Sequence, residues 1–230
     1  MKIAVTLVLP AYNEEPNIER AINDARPMLE YMSDDWEIVV VDDGSRDKTA
    51  DIVKHMAKHN CRIRLVQHAK NKGYGQALIT GFYSAKKEWV WLSAADNQFE
   101  PREILKLLPF ANDYDMVAGC RHKRQDPAYR RLYARLYNGL IQTVLGIRVK
   151  DLNCGFKLIR RRVFDAFKLE SQGALIDAEL FKRCSIKGFS VKEVAVEHKP
   201  RELGEQTGGN LFVVIGMFVE LLKLKMRLKG

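Results

Sequence analysis

Cysteine is scarce in this chain. Cys61, Cys120, Cys154 and Cys184 are the four in 230 residues, with no Cys-x-x-Cys pair. That spacing excludes a zinc knuckle and favours buried free thiols in a reducing compartment. Long hydrophobic runs are also missing. No stretch of about 18 uncharged apolar residues occurs, so no segment reads as crossing a bilayer. The apolar start, Ile3 to Leu9, is seven residues long, ends at Pro10 and lacks a small-residue cleavage site. It reads as a first strand rather than a leader. There is no internal repeat, and no Pro-, Gly- or Ser-rich linker divides the chain. One domain over 1–208 is expected, followed by an amphipathic helix over 209–230.

A balance of 47% apolar and 29% charged residues excludes disordered and low-complexity classes. The net charge of +9 favours anionic partners: nucleic acid, phosphorylated small molecules or an anionic membrane face. Short β-branched runs at 3–9, 37–41, 62–67, 89–92 and 116–118 alternate with helical patterns at 14–31, 47–59, 75–86 and 101–108. This alternation predicts an α/β fold whose mostly parallel sheet is flanked by helices. Beyond it, helices are expected at 129–145, near 162–168, at 177–187 and at 210–229. Strands are expected at 157–159 and 189–196.

In such sheets ligands bind beyond the carboxyl ends of the strands. Those ends carry Pro10-Ala11-Tyr12-Asn13-Glu14-Glu15, Asp42-Asp43-Gly44-Ser45, Asn71-Lys72-Gly73-Tyr74-Gly75 and Ala94-Ala95-Asp96-Asn97-Gln98. Carboxylates there suit ribose hydroxyls and base N–H groups, glycines allow close backbone approach, and Lys72 supplies positive charge. Asp96 suits a divalent cation on a diphosphate. Each segment alone also reads as turn and cap chemistry. Four in order specify more than any one does.

Together with Asp47 and Thr49, Ala77, and Phe99 with Pro101, these blocks resemble the inverting family 2 glycosyltransferases. The resemblance continues through Gly119-Cys120-Arg121, the Arg130-Arg131 to Asn138 helix, Asp151-Leu152-Asn153-Cys154-Gly155-Phe156-Lys157, and His198-Lys199-Pro200-Arg201. The later blocks look like the polyprenyl-phosphate branch typified by dolichol-phosphate mannose synthases. The resemblance implies a single nucleotide-sugar-binding domain of GT-A type and transfer of a sugar from a UDP- or GDP-linked donor to a polyprenyl phosphate. It implies Mg²⁺ or Mn²⁺ on Asp96 and Gln98. Pro10, Ala11, Tyr12, Asn13, Glu14, Asp42, Asp43, Gly44, Lys72, Gly73, Ala95 and Arg201 would bind the nucleotide. Arg121, Arg130 and Arg131 would receive the acceptor phosphate, for which a planar guanidinium fork is well shaped.

Two departures stand out. Ala94 occupies the place of the first aspartate of the family's Asp-x-Asp, which opens a catalytically silent, nucleotide-sugar-binding alternative. A transferase acting on a saccharide is another. Asp177-Ala178-Glu179 stands where mannosyl-phospho-dolichol synthases often carry lysine, which puts GDP-mannose in doubt. Arg121 to Arg135 holds six cations against one acid, Asp126. Nucleic-acid binding there ranks behind phosphate binding, because this helix must sit beside the nucleotide edge. His198 reads as a metal ligand or a hydrogen-bonded core residue; His55, His59, His68 and His122 read as surface or structural. The terminal helix alternates Leu and Met with cations from Glu220 to Lys229. It suits either the cytoplasmic face of a membrane, held peripherally, or packing on its own domain or a second subunit.

Overall fold

The computed structural model describes residues 2–122, 138–171, 173–200 and 220–228. Seven strands form one sheet: β1 (Val5–Ala11), β2 (Trp36–Asp42), β3 (Ile63–Gln67), β4 (Trp89–Leu92), β5 (Met116–His122), β6 (Lys157–Arg160) and β7 (Val191–Glu197). Their order is β3-β2-β1-β4-β6-β5-β7. β6 pairs antiparallel with both β4 and β5, and the other described pairs are parallel. Helices are α1 (Ile18–Met32), α2 (Thr49–His59), α3 (Tyr74–Ser84), α4 (Ile104–Leu107), α5 (138–145), α6 (Arg162–Asp165), α7 (Ile176–Lys187) and α8 (220–227).

Side chains alternate along each strand, so β1 serves two cores. Val5, Leu7 and Leu9 pack with Ile18, Ile22 and Leu29 of α1. Val8 points the other way, against Leu78 and Phe82 of α3. Each large aliphatic side chain buried in this way contributes about 1.5–3 kcal/mol. All of β2 is buried, and its apolar run over 38–41 is that of a sheet covered on both faces. α3 lies so close to β1 that a Cβ on Gly81 would stand 2.3 Å from Val8 Cγ1. That contact requires glycine.

Several expected boundaries move. β1 begins later than Ile3 and runs through Pro10 to Ala11. Val8 C=O accepts from Ser93 N–H, so Val8 bonds on the β4 side, and Pro10, two residues on, faces that same side. β4 has already left there, since its last pair is Val8 with Leu92. The missing proline N–H therefore costs no ladder bond. α1 starts at Ile18 rather than Glu14: Asn13 is left-handed (φ 54°), and the Glu14 and Glu15 N–H groups go to Thr49 Oγ1 and Asp47 Oδ2. The helix expected at 101–108 is two 3-10 turns around the short α4, with Pro109 inside the second. The 129–145 helix is described from 138 onward and the terminal one over 220–228. In the latter, Leu221 and Leu224 are buried in the α3/α7 core, while Leu222 and Met226 are exposed.

Candidate active site

Strand order reverses at β1, which has β2 on one side and β4 on the other. A cleft of about 370 Å³ opens there, at the carboxyl ends of the strands. Pro10 and Ala11 line it from the end of β1, Tyr12 and Glu14 from the loop beyond, Asp43 from just after β2, and Asn71, Gly73, Tyr74 and Ala77 from the β3–α3 turn and the start of α3. Leu92, Ser93, Ala94, Ala95 and Asp96 line it from β4, and Gly155 from the segment before β6. Of the residues expected to bind nucleotide or metal, Pro10, Ala11, Tyr12, Glu14, Asp43, Gly73, Ala95 and Asp96 thus share one wall. Asn13, Asp42, Gly44, Lys72, Gln98 and Arg121 stand outside that lining. Arg130, Arg131 and Arg201 lie outside the described residues, as do Asp126 and residues 203–209.

The residues beside the cleft hold its loops in place. The β1 and β2 loops are laced together: Asn13 N–H donates to Ser45 Oγ at 2.9 Å, and Arg46 N–H donates to Asn13 Oδ1 at 2.8 Å. Asp42 is fully buried and accepts from Ser45 N–H (3.1 Å) and Gln67 Nε2 (3.0 Å). Its carboxylate is spent on the fold. Gly44 has φ 72°, and a Cβ there would meet the Lys70 carbonyl carbon at 2.5 Å. Burial would raise the Asp47 carboxyl, but the Thr49 hydroxyl and the Thr49 and Glu15 N–H groups outweigh it and hold the pKa low.

β4 ends at Leu92 and the chain turns at Ala95–Asp96, with Asn97 left-handed (φ 58°). Residues 94 and 96 are therefore not successive same-face positions of an extended strand end, as simple alternation assumes. An Asp96 oxygen accepts from Gln98 N–H at 3.1 Å, while Gln98 Nε2 donates to the Lys199 carbonyl at 3.1 Å. Among the described residues no cluster of three or more His, Cys, Asp or Glu is arranged to hold a metal. One carboxylate still fits Mg²⁺ or Mn²⁺ when a diphosphate supplies the other oxygens, the usual arrangement for magnesium at phosphates. His198 packs edge-on against Phe99, centroids 4.9 Å apart.

Several side-chain pairings beside the cleft carry no local sequence signal. Arg121 forms a two-pronged pair with Asp151 (Nε to Oδ2 2.6 Å, Nη2 to Oδ1 2.7 Å) and is mostly buried. Its fork is thus placed on a carboxylate. Lys157, fully buried, donates to Asp177 Oδ1 at 2.7 Å and to the Cys154 carbonyl. Burial pushes the Asp177 carboxyl up against the pull of Lys157. Tyr74 lines the cleft and is 43% exposed; desolvation of its hydroxyl, then Asp177, raises that phenol well above its usual range. These pairings join positions 20 to 30 residues apart, which no local pattern reveals.

The glycosyl transferase family 2 model matches residues 6–167. This chain belongs to that family. Undecaprenyl-phosphate 4-deoxy-4-formamido-L-arabinose transferase of Edwardsiella ictaluri is 34% identical over 224 residues, covering 95% of this chain and 66% of the relative. The transferase of the same name from Pseudomonas fluorescens Pf-5 is 32% identical over 219 residues, covering 93% and 63%. The chain thus spans a little under two thirds of the length of these relatives. Their names point to an undecaprenyl-phosphate branch of the family and give no support to dolichol-phosphate mannose in particular. Glucosyl-3-phosphoglycerate synthase of Mycobacterium tuberculosis, solved with Mn²⁺ and UDP-glucose, superimposes with a TM-score of 0.72 at 18% identity, over 98% of this chain and 79% of that one. The glycosyltransferase domain therefore has the GT-A-type fold.

Proposed function

We propose that the chain transfers a sugar from a UDP-linked donor to a polyprenyl phosphate at the membrane surface, with inversion at the anomeric carbon. The observation that carries this reading is the 34% identity, across 95% of the chain, to an undecaprenyl-phosphate sugar transferase. The cleft agrees with it in chemistry. In this reading Pro10 to Glu14 with Asp43 take the nucleoside, and the Lys72–Gly73 turn and Asp96 take the diphosphate. The uridine donor is supported by the UDP held in solved neighbours of the same fold.

An acceptor phosphate is already anionic near neutral pH, so no strong base is required. Asp177, paired with Lys157, is not offered as one. The phosphate oxygen attacks the anomeric carbon as the bond to the diphosphate breaks, and catalysis rests on alignment and on charge neutralisation. Mg²⁺ or Mn²⁺, held by Asp96 with Gln98 beside it, would supply positive charge to the leaving diphosphate. Arg130 and Arg131 are the acceptor-side cations in this reading, with Arg201 on the nucleotide phosphates. The pairing of Arg121 with Asp151 gives Arg121 the task of shaping the acceptor end.

The test is release of UDP from UDP-sugars by the purified chain, with undecaprenyl phosphate or with a soluble saccharide as acceptor. Release that requires the lipid phosphate is expected. Release with the saccharide alone would overturn the acceptor, and binding without release would favour the silent alternative that Ala94 opens.

A further inference from the structure

Of the two readings of His68, surface or structural, the structure bears out the second: it is 7% exposed and is bonded to Asp43 of the cleft lining. Its Nδ1 is 2.6 Å from Asp43 Oδ1, and its Nε2 is 2.9 Å from Thr80 Oγ1 on α3. A carboxylate only accepts, so Nδ1 carries the hydrogen, and the Thr80 hydroxyl fixes the ring at Nε2. Asp43 accepts two further bonds, from Lys72 N–H to Oδ1 at 2.9 Å and from Gly73 N–H to Oδ2 at 2.8 Å. It also lines the cleft.

A carboxylate has about four acceptor positions. Three on Asp43 are filled by groups of the protein, and both positions on Oδ1 are among them. One remains, on Oδ2. We propose that His68 is a positioning residue for the donor nucleotide: it locks the Asp43 carboxylate so that a single acceptor position meets the nucleoside and the Lys72–Gly73 turn is held at the cleft. One acceptor position matches a base that offers one N–H between carbonyls, as uracil does, and not a guanine edge that needs both carboxylate oxygens. His68 touches no substrate in this arrangement; it acts through Asp43. The inference rests on the nucleotide-sugar reading of the cleft.

Two substitutions separate this role from simple packing. In His68→Asn the amide nitrogen stands near the Nδ1 position and still reaches Asp43. In His68→Gln it stands near the Nε2 position and reaches Thr80 instead. UDP affinity by calorimetry, with thermal unfolding alongside, is expected to stay within about threefold in the Asn variant. In the Gln variant it should fall about tenfold, the scale on which removing an orienting partner acts. Donor KM should rise in the Gln variant while kcat and the acceptor KM hold. Equal UDP affinity in both variants, or losses that simply follow the drop in Tm, would overturn the proposal. Should neither variant fold, ¹⁵N spectra of the unaltered chain decide. An Nδ1-protonated His68 whose resonance moves on adding UDP supports the role, and an unmoved one overturns it. If UDP fails to bind the unaltered chain at all, the nucleotide reading of the cleft has failed, before any His68 variant is measured.

Discussion

At position 94 a methyl group lines the cleft two residues from the Asp96 carboxylate. A hard divalent cation shared with a diphosphate gains from each carboxylate oxygen that replaces water. Asp96→Asn is therefore expected to abolish metal-dependent UDP binding, since a neutral amide cannot replace a carboxylate there; unchanged Mn²⁺-dependent affinity in calorimetry would show that the metal sits elsewhere. Ala94→Asp is expected to raise both Mn²⁺ affinity and UDP release, because positions 94 and 96 line the same cleft. Equal activity of the two chains across Mn²⁺ concentrations would mean that the carboxylates have been misplaced. At this scale the sequence exposed the residues with unusual chemistry, Asp43, Asp96 and Gly73 among them. It did not expose what holds them. Asp151 beneath Arg121, Asp177 beneath Lys157 and His68 beneath Asp43 are distant in sequence, and such pairings form only when strands are laid side by side.

Strands and helices were legible because burial imposes a period. β4 falls where its apolar run predicts, β2 is one residue longer than expected at each end, and α7 one residue longer at its start. β1 and α1 were misjudged where a local rule met a tertiary exception. Pro10 usually stops a strand, but here it faces the side that β4 has vacated. At the opposite end of the sheet, Asp115 ties the start of β5 to the residue before β7. It accepts from Ser190 N–H and Ser190 Oγ, both at 3.0 Å, and from Arg162 Nε at 2.9 Å. Burial would raise this carboxyl, but the Arg162 and Ser190 donors outweigh it and its pKa is lowered. A lowered pKa contributes stability that is present above the unfolded value, about 3.9, and is lost as pH falls through the folded one. Asp115→Asn should therefore destabilise the chain by about 1–3 kcal/mol near neutral pH. Its Tm should also fall less steeply than that of the unaltered chain below about pH 4. Parallel Tm-against-pH curves for the two proteins would remove Asp115 from the acid response.

For the molecule as a whole, the terminal segment raises the question of what its apolar stripe covers. Leu221 and Leu224 are 1% exposed and lie in the same core as Phe82 and Phe181. Leu222 at 46% and Met226 at 67% face outward, with Lys223 beside them. Leu224→Ala should cost roughly 2–5 kcal/mol of stability in the absence of lipid, whereas Leu222→Ala should change it by about 0.5 kcal/mol or less. A segment that also rests on anionic head groups should lose flotation with anionic vesicles in Lys223→Glu at constant Tm. Flotation unaffected by that change, with a fall in Tm for Leu224→Ala, would leave α8 purely a part of the domain.

The chain's own residues determined the α/β class, the strand ends that carry the cleft, and the family. Hydrophobic period, turn chemistry and short motifs are local, and each is written within a few consecutive residues. Tertiary structure alone decided the rest. It placed β6 antiparallel between β4 and β5, let β1 run on through Pro10, and sank the inner half of the last helix into the core. It also set which carboxylates line the cleft and which are buried in the fold. Asp42 and Asp43 are neighbours with the same side chain, yet Asp42 is fully buried against Ser45 and Gln67 while Asp43 lines the cleft. That difference depends on what the rest of the chain packs around each carboxylate, and a sequence does not record distance.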